Sequence, residues 1–323
     1  MKTKLKTIIK IIISGILIFL LLQQVDLKQT WQIIKDIKII NHILLISVLI
    51  IANIIHSYRW RMLLTPYQRY FSLINLFKLK LVSIYYNCIL PSNFSGDFIR
   101  GYYLSKNKKN GIELSQSLSS IIIERILGFG ALIFLIFIGI FYHYTILNRI
   151  KILPYLLSIF IIFLISLLFL FSKNIKNKLK KIFSSPRYQN KKLFRKIKKY
   201  YLSIHYYNKY KKIIIISFVL AIFLQGSTIL INYLAFYSIG VEISIWKLFF
   251  VIPLISILNM VPVSFGNIGF REGVYVILFS YLGIGAEQSI TVSLLLRFYN
   301  ILLGLTGILS KNISTLKIKK QNT

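Results

Sequence analysis

Charged side chains that could bind an anion interrupt the most apolar parts of this sequence. The stretch LPSNFSGDFIRGYYL, residues 90–104, carries an aspartate three positions before an arginine, and IIIERILGFG and VPVSFGNIGFREG each hold an adjacent acid and arginine. A charge near the centre of a membrane costs roughly 2.5–3.5 kcal/mol on insertion scales, so a retained charge usually faces a cavity or a partner. The candidate substrate-binding residues are Asp97, Arg100, Glu124, Arg125, Arg271, Glu272 and Arg297.

Two interpretations of these charges stay open at this point. Each acid stands near an arginine in sequence, so the pairs could be salt bridges that hold helices together. Alternatively, the arginines could bind phosphate oxygens in a polar cavity through two parallel N–H donors. Arg297 has no acid close to it in sequence, so we expect it to pair with Glu124 or to bind the anion itself.

The stretches at residues 90–104 and 261–273 each break an apolar run with proline and glycine, which predicts interrupted helices. The residues that mark these breaks are Pro91, Gly96, Pro262, Gly266 and Gly269. Half-helix N-termini after the breaks would offer further N–H groups to an anion. Nearby asparagines are expected to cap the hairpin backbone; they are Asn87, Asn93, Asn259 and Asn267.

The two breaks resemble each other at a fixed spacing. Pro91, Phe94 and Arg100 recur 171 positions later as Pro262, Phe265 and Arg271, and Arg125 recurs 172 positions later as Arg297. We interpret this as an inverted repeat of residues 1–142 and 150–310 within a single membrane domain, 1–323. Paired broken helices in inverted repeats are typical of secondary transporters, whose sites lie near the bilayer midplane.

The composition of the chain indicates an integral membrane protein. Of its 323 residues 56% are hydrophobic, the mean hydropathy is +0.69, and whole windows of about 18 residues carry no charge. We predict an all-α protein with about six full transmembrane helices and two re-entrant or broken hairpins, giving eight or more apolar spans. Residues 81–90 form one short arm, because ten residues reach only ~15 Å of a ~30 Å core.

The basic residues predict the topology. The chain has 41 Lys and Arg against eight acids, and the basic residues lie between the apolar runs, which argues against nucleic-acid binding. The positive-inside rule places the basic loop 173–212 and both termini in the cytoplasm of a cell-membrane protein. Loop charge leaves open whether residues 248–284 form a hairpin or two crossings.

The sequence contains none of the familiar catalytic patterns. It has no P-loop, no GxSxG and no HExxH, and its single cysteine and four histidines show no metal-ligand spacing. We therefore expect no metal and no cofactor. An intramembrane transferase that uses Asp97 or Glu272 as a base stays open.

Taken in order, SYRWRMLL, NCILPSNFSGDFIRGYYL, IIIERILGFGAL, VPVSFGNIGFREGVYVILFSYLGI and LLRFYNILLG resemble the lysylphosphatidylglycerol synthase transmembrane-region family, also called the flippase-like domain family. The resemblance implies a membrane protein that handles lipids, here a stand-alone member without the soluble aminoacyl-transferase domain. We expect a flippase-like transporter of an anionic phospholipid or other lipid-linked anion. The alternative is a membrane enzyme or accessory factor acting on polyprenyl-phosphate-linked sugars. A second copy of the chain or a separate lipid-modifying enzyme are the candidate protein partners.

Overall fold

The computed structural model of this chain describes residues 32–67, 71–90, 94–106, 111–142 and 192–310, together with four isolated positions between 158 and 165. These residues form helices joined by short turns, and no strand occurs among them. The helices are α1 (Ile39–Leu64), α2 (Leu73–Ile89), α3 (Ser95–Lys106), α4 (Leu114–Tyr142), α5 (Lys192–Tyr206), α6 (Lys211–Ser238), α7 (Ile245–Leu258), α8 (Phe270–Ser280) and α9 (Ala286–Leu309), with 3₁₀ turns at Thr65–Tyr67, Tyr207–Lys209 and Phe265–Asn267. The predicted all-α membrane class is confirmed.

Four of the described helices are long and apolar enough to cross a membrane. They are α1 with its 3₁₀ turn, α4, α6 and α9, each at least 24 residues long, so each exceeds a ~30 Å hydrocarbon core at ~1.5 Å rise per residue. Large apolar side chains such as Ile51 and Phe223 are exposed on their outer faces, as contact with lipid requires. The two further spans predicted near residues 8 and 152 lie outside the described residues, so the count of six stays a prediction.

The helices recur in two sets of four. The start residues of α1 and α6 differ by 172 positions, as do those of α2 and α7 and those of α4 and α9. Packing between the sets is reciprocal, because α2 packs on α9 while its counterpart α7 packs on α4, and α1 packs on α6. Reciprocal contacts of this kind are what a pseudo-two-fold axis produces.

The counterparts α1 and α6 run antiparallel. Arg59, near the end of α1, donates to the backbone carbonyl of Ser217, near the start of α6, at 2.9 Å. Leu45, near the start of α1, shares a buried core with Phe236, near the end of α6. Equivalent helices that run in opposite directions are what an inverted repeat requires. The repeat boundaries themselves stay a prediction, because residues 1–31 and most of 143–191 lie outside the described part.

The first hairpin arm differs from the expectation. The sequence suggested an arm of residues 81–90, whereas α2 begins at Leu73 and has 17 residues, about 26 Å at 1.5 Å per residue. The difference arises from Lys78 and Lys80: basic residues directly before an apolar run indicate a loop in the sequence, whereas the structure places both inside α2. Lysine is a good helix former, so a basic residue does not end a helix.

Small residues let the two sets approach closely. A Cβ added to Gly304 of α9 would lie 2.8 Å from the Cα and N atoms of Tyr85, and one added to Gly307 would lie 2.6 Å from the N atom of Val82. On the reciprocal side, a Cβ at Gly139 of α4 would lie 2.6 Å from the backbone of α7. Close backbone packing at small residues is the usual way in which membrane helices associate.

Helix α5 belongs to the basic segment 173–212. Its residues Tyr201 and Ile204, with the following Tyr207, are buried near the end of α1 and the first half of α4. The Tyr207 hydroxyl donates to the Leu63 carbonyl, and the Tyr67 hydroxyl donates to the Ser203 carbonyl at 3.0 Å. The described part of the basic segment is therefore attached to the helix bundle.

Candidate functional site

A cavity of about 490 Å³ lies between the two sets of helices. Both breaks border it, the first through Phe94 and the second through Gly266 and Asn267. The second break also packs against α2, since a Cβ at Gly266 would lie 2.7 Å from the Cys88 carbonyl oxygen. The described edges of the two breaks therefore meet at one site.

Three of the seven predicted site residues line this cavity, and all three are arginines: Arg125, Arg271 and Arg297. The other four are buried behind its wall, at 1–3% exposure: Asp97, Arg100, Glu124 and Glu272. Among the described residues, no carboxylate lines the cavity. The wall is therefore cationic and the acids lie one layer further out.

The first cluster of charges ties α3 to α4 and α1. Asp97 forms an ion pair with Arg100, with Oδ1 3.0 Å from Nε, and accepts a hydrogen bond from Arg125 Nε at 2.6 Å. Glu124 accepts from Arg100 Nη2 at 2.9 Å and lies 2.9 Å from the imidazole Nε2 of His56. Glu124 and Arg125 do not pair with each other, because neighbouring residues on a helix point in different directions.

Arg100 is a structural member of this cluster. Its guanidinium lies between two carboxylates and sits 4.5 Å from the ring centre of Trp60, whose indole N–H donates to Ser120. Because Arg100 is only 1% exposed, it does not reach the cavity. The sequence repeat made Arg100 equivalent to Arg271, but the two arginines occupy different environments.

The second cluster fixes the second break. Arg297 of α9 donates to Glu272 Oε1 at 2.9 Å and also to the carbonyls of Gly266 and Asn267, each at 3.1 Å. Glu272 in turn accepts from the Gly269 N–H at 2.8 Å. The expectation that Arg297 would pair with Glu124 is wrong, because Arg297 pairs with Glu272 in the first turn of α8, whereas Glu124 pairs with Arg100.

The glycines and asparagines give each break its shape. Gly266 and Gly269 have φ angles of +60° and +81°, which only glycine adopts easily, and Asn267 also has a positive φ, +55°. Gly96 permits a close approach instead, because an added Cβ would collide with the Ser83 carbonyl. The Asn87 side chain accepts from the Gly96 N–H at 2.8 Å, and Asn267 donates to the Asn259 carbonyl at 2.6 Å. Pro91 and Asn93 lie outside the described residues, and Pro262 follows the end of α7.

Arg271 is the cavity arginine without an acidic partner. Among the described residues no carboxylate lies within ion-pair distance of it, and its nearest polar contact is the Tyr275 hydroxyl at 3.5 Å. Its guanidinium also lies 5.4 Å from the Tyr275 ring centre, and that hydroxyl donates to Asn232 at 2.8 Å. The neighbouring acid in sequence, Glu272, belongs to Arg297.

The two clusters carry more positive than negative charge. The bases of the two clusters, counted together with Arg271, are Arg59, Lys80, Arg100, Arg125, Arg271 and Arg297, and the acids are Asp97, Glu124 and Glu272. With His56 neutral, six cations against three anions leave a formal excess of three positive charges. Desolvated charges are stable only with counter-charges or polar partners, so this region is suited to receive an anion.

Sequence reasoning missed several residues of the site. No motif or repeat pointed to Arg59, Lys80 or His56 as site residues. Seven amides line the cavity. The sequence predicted Asn87, Asn259 and Asn267 only as backbone caps, and it did not point to the other four, which are Asn53, Gln225, Asn232 and Asn300. Asn53 and His56 lie three residues apart on α1, so a polar stripe on an otherwise apolar helix was the available signal.

The model of the family described as the lysylphosphatidylglycerol synthase TM region matches residues 7–307. The chain belongs to this family. The resemblance drawn from its motifs is thereby confirmed, and the protein is a multi-pass membrane protein.

A curated relative supports the same assignment. This member of the family is 27% identical over 320 residues to the UPF0104 membrane protein MJ1595 of Methanocaldococcus jannaschii. The match covers 94% of this chain and 93% of that protein. No solved structure matches the chain.

Proposed function

We propose that this protein is a flippase-type transporter that moves an anionic phospholipid, or another lipid-linked anion, between the two leaflets of its membrane. The observation that carries the proposal is the cavity between the two breaks, which has three arginines and seven amides in its wall. Among the described residues no acid lines it. Such a wall favours a negatively charged headgroup over a zwitterionic or cationic one.

Arg271 is the residue that we assign to the anion. Arg125 and Arg297 are each neutralised by a carboxylate, whereas Arg271 has only a weak contact with a neutral hydroxyl. A guanidinium binds phosphate oxygens with two parallel donors, so a phosphodiester at Arg271 would supply the missing counter-charge.

The size of the cavity fits a headgroup better than a whole lipid. Ligand sites commonly measure ~300–1,000 Å³, and 490 Å³ lies within that range. The amides offer donors and acceptors to glycerol or sugar hydroxyls, while acyl chains would remain in the hydrocarbon region. On this proposal the headgroup crosses the membrane through a polar site that replaces its hydration.

The orientation of the chain belongs to the same proposal. The basic residues between the apolar spans favour a cell-membrane protein with both termini and the segment that contains α5 in the cytoplasm. The two inverted halves would then open the cavity to opposite sides of the membrane, as alternating access requires.

A scrambling assay tests the transport activity. Purified protein is reconstituted in liposomes that contain a trace of phosphatidylglycerol with a fluorescent headgroup or acyl label, and the outer-leaflet label is reduced chemically. We expect the wild type to expose inner-leaflet phosphatidylglycerol to the reductant, and to do so faster than it exposes phosphatidylcholine. Arg271→Gln should lose this activity.

Arg61→Gln is the matched control, because Arg61 lies at the end of α1 and does not line the cavity. This variant should keep the wild-type rate. Equal rates for both lipids, or no movement of either lipid by folded protein, would contradict the transporter. If neither lipid moves, the same assay with a labelled polyprenyl phosphate tests the alternative of a membrane enzyme or accessory factor.

A further inference from the structure

A histidine on the cavity wall lies between an acid and a base. The Nε2 atom of His56 is 2.9 Å from Glu124 Oε1 and 3.1 Å from Lys80 Nζ. The His56 side chain is 22% exposed, and it lines the cavity beside Asn53. The imidazole is therefore in contact with both the buried charges and the space where the anion is expected.

One ring nitrogen cannot satisfy both neighbours in a single protonation state. Toward the Lys80 ammonium, which is a donor, Nε2 must offer its lone pair. Toward the Glu124 carboxylate, which is an acceptor, the same atom must carry a proton. Among the described residues the second nitrogen, Nδ1, is buried without a hydrogen-bond partner, so it relieves neither conflict. His56 thus has three possible arrangements: a neutral ring whose Nε2 lone pair faces Lys80, a neutral ring whose Nε2–H faces Glu124, and an imidazolium with a proton on both nitrogens.

Charged groups on several neighbouring helices determine whether the His56 imidazole is neutral or protonated. Glu124 faces His56 from α4 and Lys80 faces it from α2. Arg100, from α3, shares the Glu124 carboxylate, and Arg59, on α1 itself, donates to the Glu124 backbone carbonyl at 2.7 Å. Helix α6 contributes neutral residues such as Gln225 to the cavity wall. The imidazolium is therefore favoured by one carboxylate and opposed by three nearby cations.

The cluster links His56 to an arginine of the cavity. Glu124 is shared by His56 and Arg100, and Asp97 is shared by Arg100 and Arg125. An anion that enters the cavity adds negative charge to a region with an excess of cations, so it stabilises any further positive charge there. By linkage, conditions that protonate His56 must strengthen anion binding to the same extent.

We infer that His56 is a proton-binding site that is loaded together with the anion. In the unloaded state the neutral imidazole accepts from Lys80 at Nε2. When the anion binds, one proton from water in the cavity adds to Nε2, which then donates to Glu124. The proton returns to water when the anion leaves, so anion and proton move as a neutral pair. This inference rests on the proposed anion site but adds a coupled ion that the proposal does not require.

Calorimetry can count the protons. Short-chain dihexanoyl phosphatidylglycerol is titrated into the purified protein below its micellar concentration, in two buffers of different ionisation enthalpy. We expect net proton uptake between about pH 5 and 7, where imidazole titrates, and none at alkaline pH. With full uptake of one proton, the affinity rises by up to about tenfold for each unit by which the pH falls.

Two variants assign the proton to this histidine. His56→Gln keeps an amide donor for Glu124 but cannot take up a proton, so it should bind the lipid with no buffer dependence and a flat pH profile. His42→Gln makes the same change at a histidine that bonds Tyr299 instead, and it should behave like the wild type.

The outcomes separate this inference from the proposed function. Binding of phosphatidylglycerol by the wild type without proton uptake overturns the inference and leaves the anion site intact. Uptake that persists in His56→Gln also overturns it, because another group then takes the proton. If the wild type binds dihexanoyl phosphatidylglycerol no better than dihexanoyl phosphatidylcholine, both the proposed function and this inference fail.

Discussion

Replacing Arg100 and Arg271 by alanine should have opposite consequences, although the repeat makes the two positions equivalent. Arg100 is 1% exposed and lies between Asp97 at 3.0 Å and Glu124 at 2.9 Å. Arg271 faces the cavity and has no carboxylate within ion-pair distance among the described residues. We expect Arg100→Ala to destabilise the fold, and Arg271→Ala to abolish transport in a protein that still folds.

The expected magnitude follows from the partners that each change leaves behind. Among the described residues, loss of Arg100 leaves Glu124 with the neutral His56 as its side-chain partner and leaves Asp97 with Arg125. Removing one member of a buried ion pair costs about 3–5 kcal/mol, or two to three and a half orders of magnitude in the folded-to-unfolded ratio. Removing Arg271 strands no carboxylate and breaks only weak contacts with the Tyr275 hydroxyl and ring, so its cost should stay below about 1 kcal/mol.

Thermal unfolding in detergent, followed by size-exclusion chromatography, measures both effects beside the scrambling assay. Arg100→Ala combined with Glu124→Gln should recover part of the lost stability, because the second change removes the stranded charge. A stable Arg100→Ala protein would refute the structural role. An Arg271→Ala protein that fails to fold would refute the assignment of Arg271 to a ligand.

Further predictions concern helix packing, a surface ion pair and topology. Gly307→Ala should destabilise the protein in the same thermal assay, because its Cβ would lie 2.6 Å from α2, whereas Gly226→Ala should be neutral or slightly stabilising because no atom lies within 4 Å. The Lys199 hydrogen bond lowers the pKa of Glu113, so the pair stabilises the fold above the ordinary carboxyl range and loses its effect as the pH falls. Since both side chains are more than half exposed, Glu113→Gln should change the free energy of unfolding by less than about 1 kcal/mol. A change above this value that persists at high salt would contradict the prediction. A single cysteine at position 199, in a Cys88→Ser background, should resist an impermeant thiol reagent added outside cells; labelling there would place α5 outside.

The helices were predictable because membrane insertion leaves a strong signal in sequence. The apolar runs at residues 115–142, 213–238 and 289–309 predict α4, α6 and α9 to within a few residues at each end. The start of α2 was missed because Lys78 and Lys80 suggested a loop, whereas their position inside a helix depends on partners from other helices. One of these partners is His56, which is 24 residues away in sequence.

The membership of the charged clusters was predictable in part, but the pairing was not. An acid beside an arginine in sequence suggested adjacent pairs, yet Glu124 bonds Arg100 and Glu272 bonds Arg297 across helices. Helical geometry separates adjacent side chains by about 100°, so pairing depends on which helices meet. The distinction between a buried Arg100 and a cavity-facing Arg271 likewise follows from packing, which a repeated motif does not encode.

The single cysteine of the chain offers the most direct test of the anion site. Cys88 lies on the cavity wall beside the second break and is partly exposed. Its labelling by N-ethylmaleimide in detergent can be followed by intact mass spectrometry while lipids are added. We predict that phosphatidylglycerol slows the labelling of the wild type, that phosphatidylcholine does not, and that Arg271→Gln removes the protection. Labelling of folded wild-type protein at the same rate with and without saturating phosphatidylglycerol would contradict an anionic lipid site in this cavity.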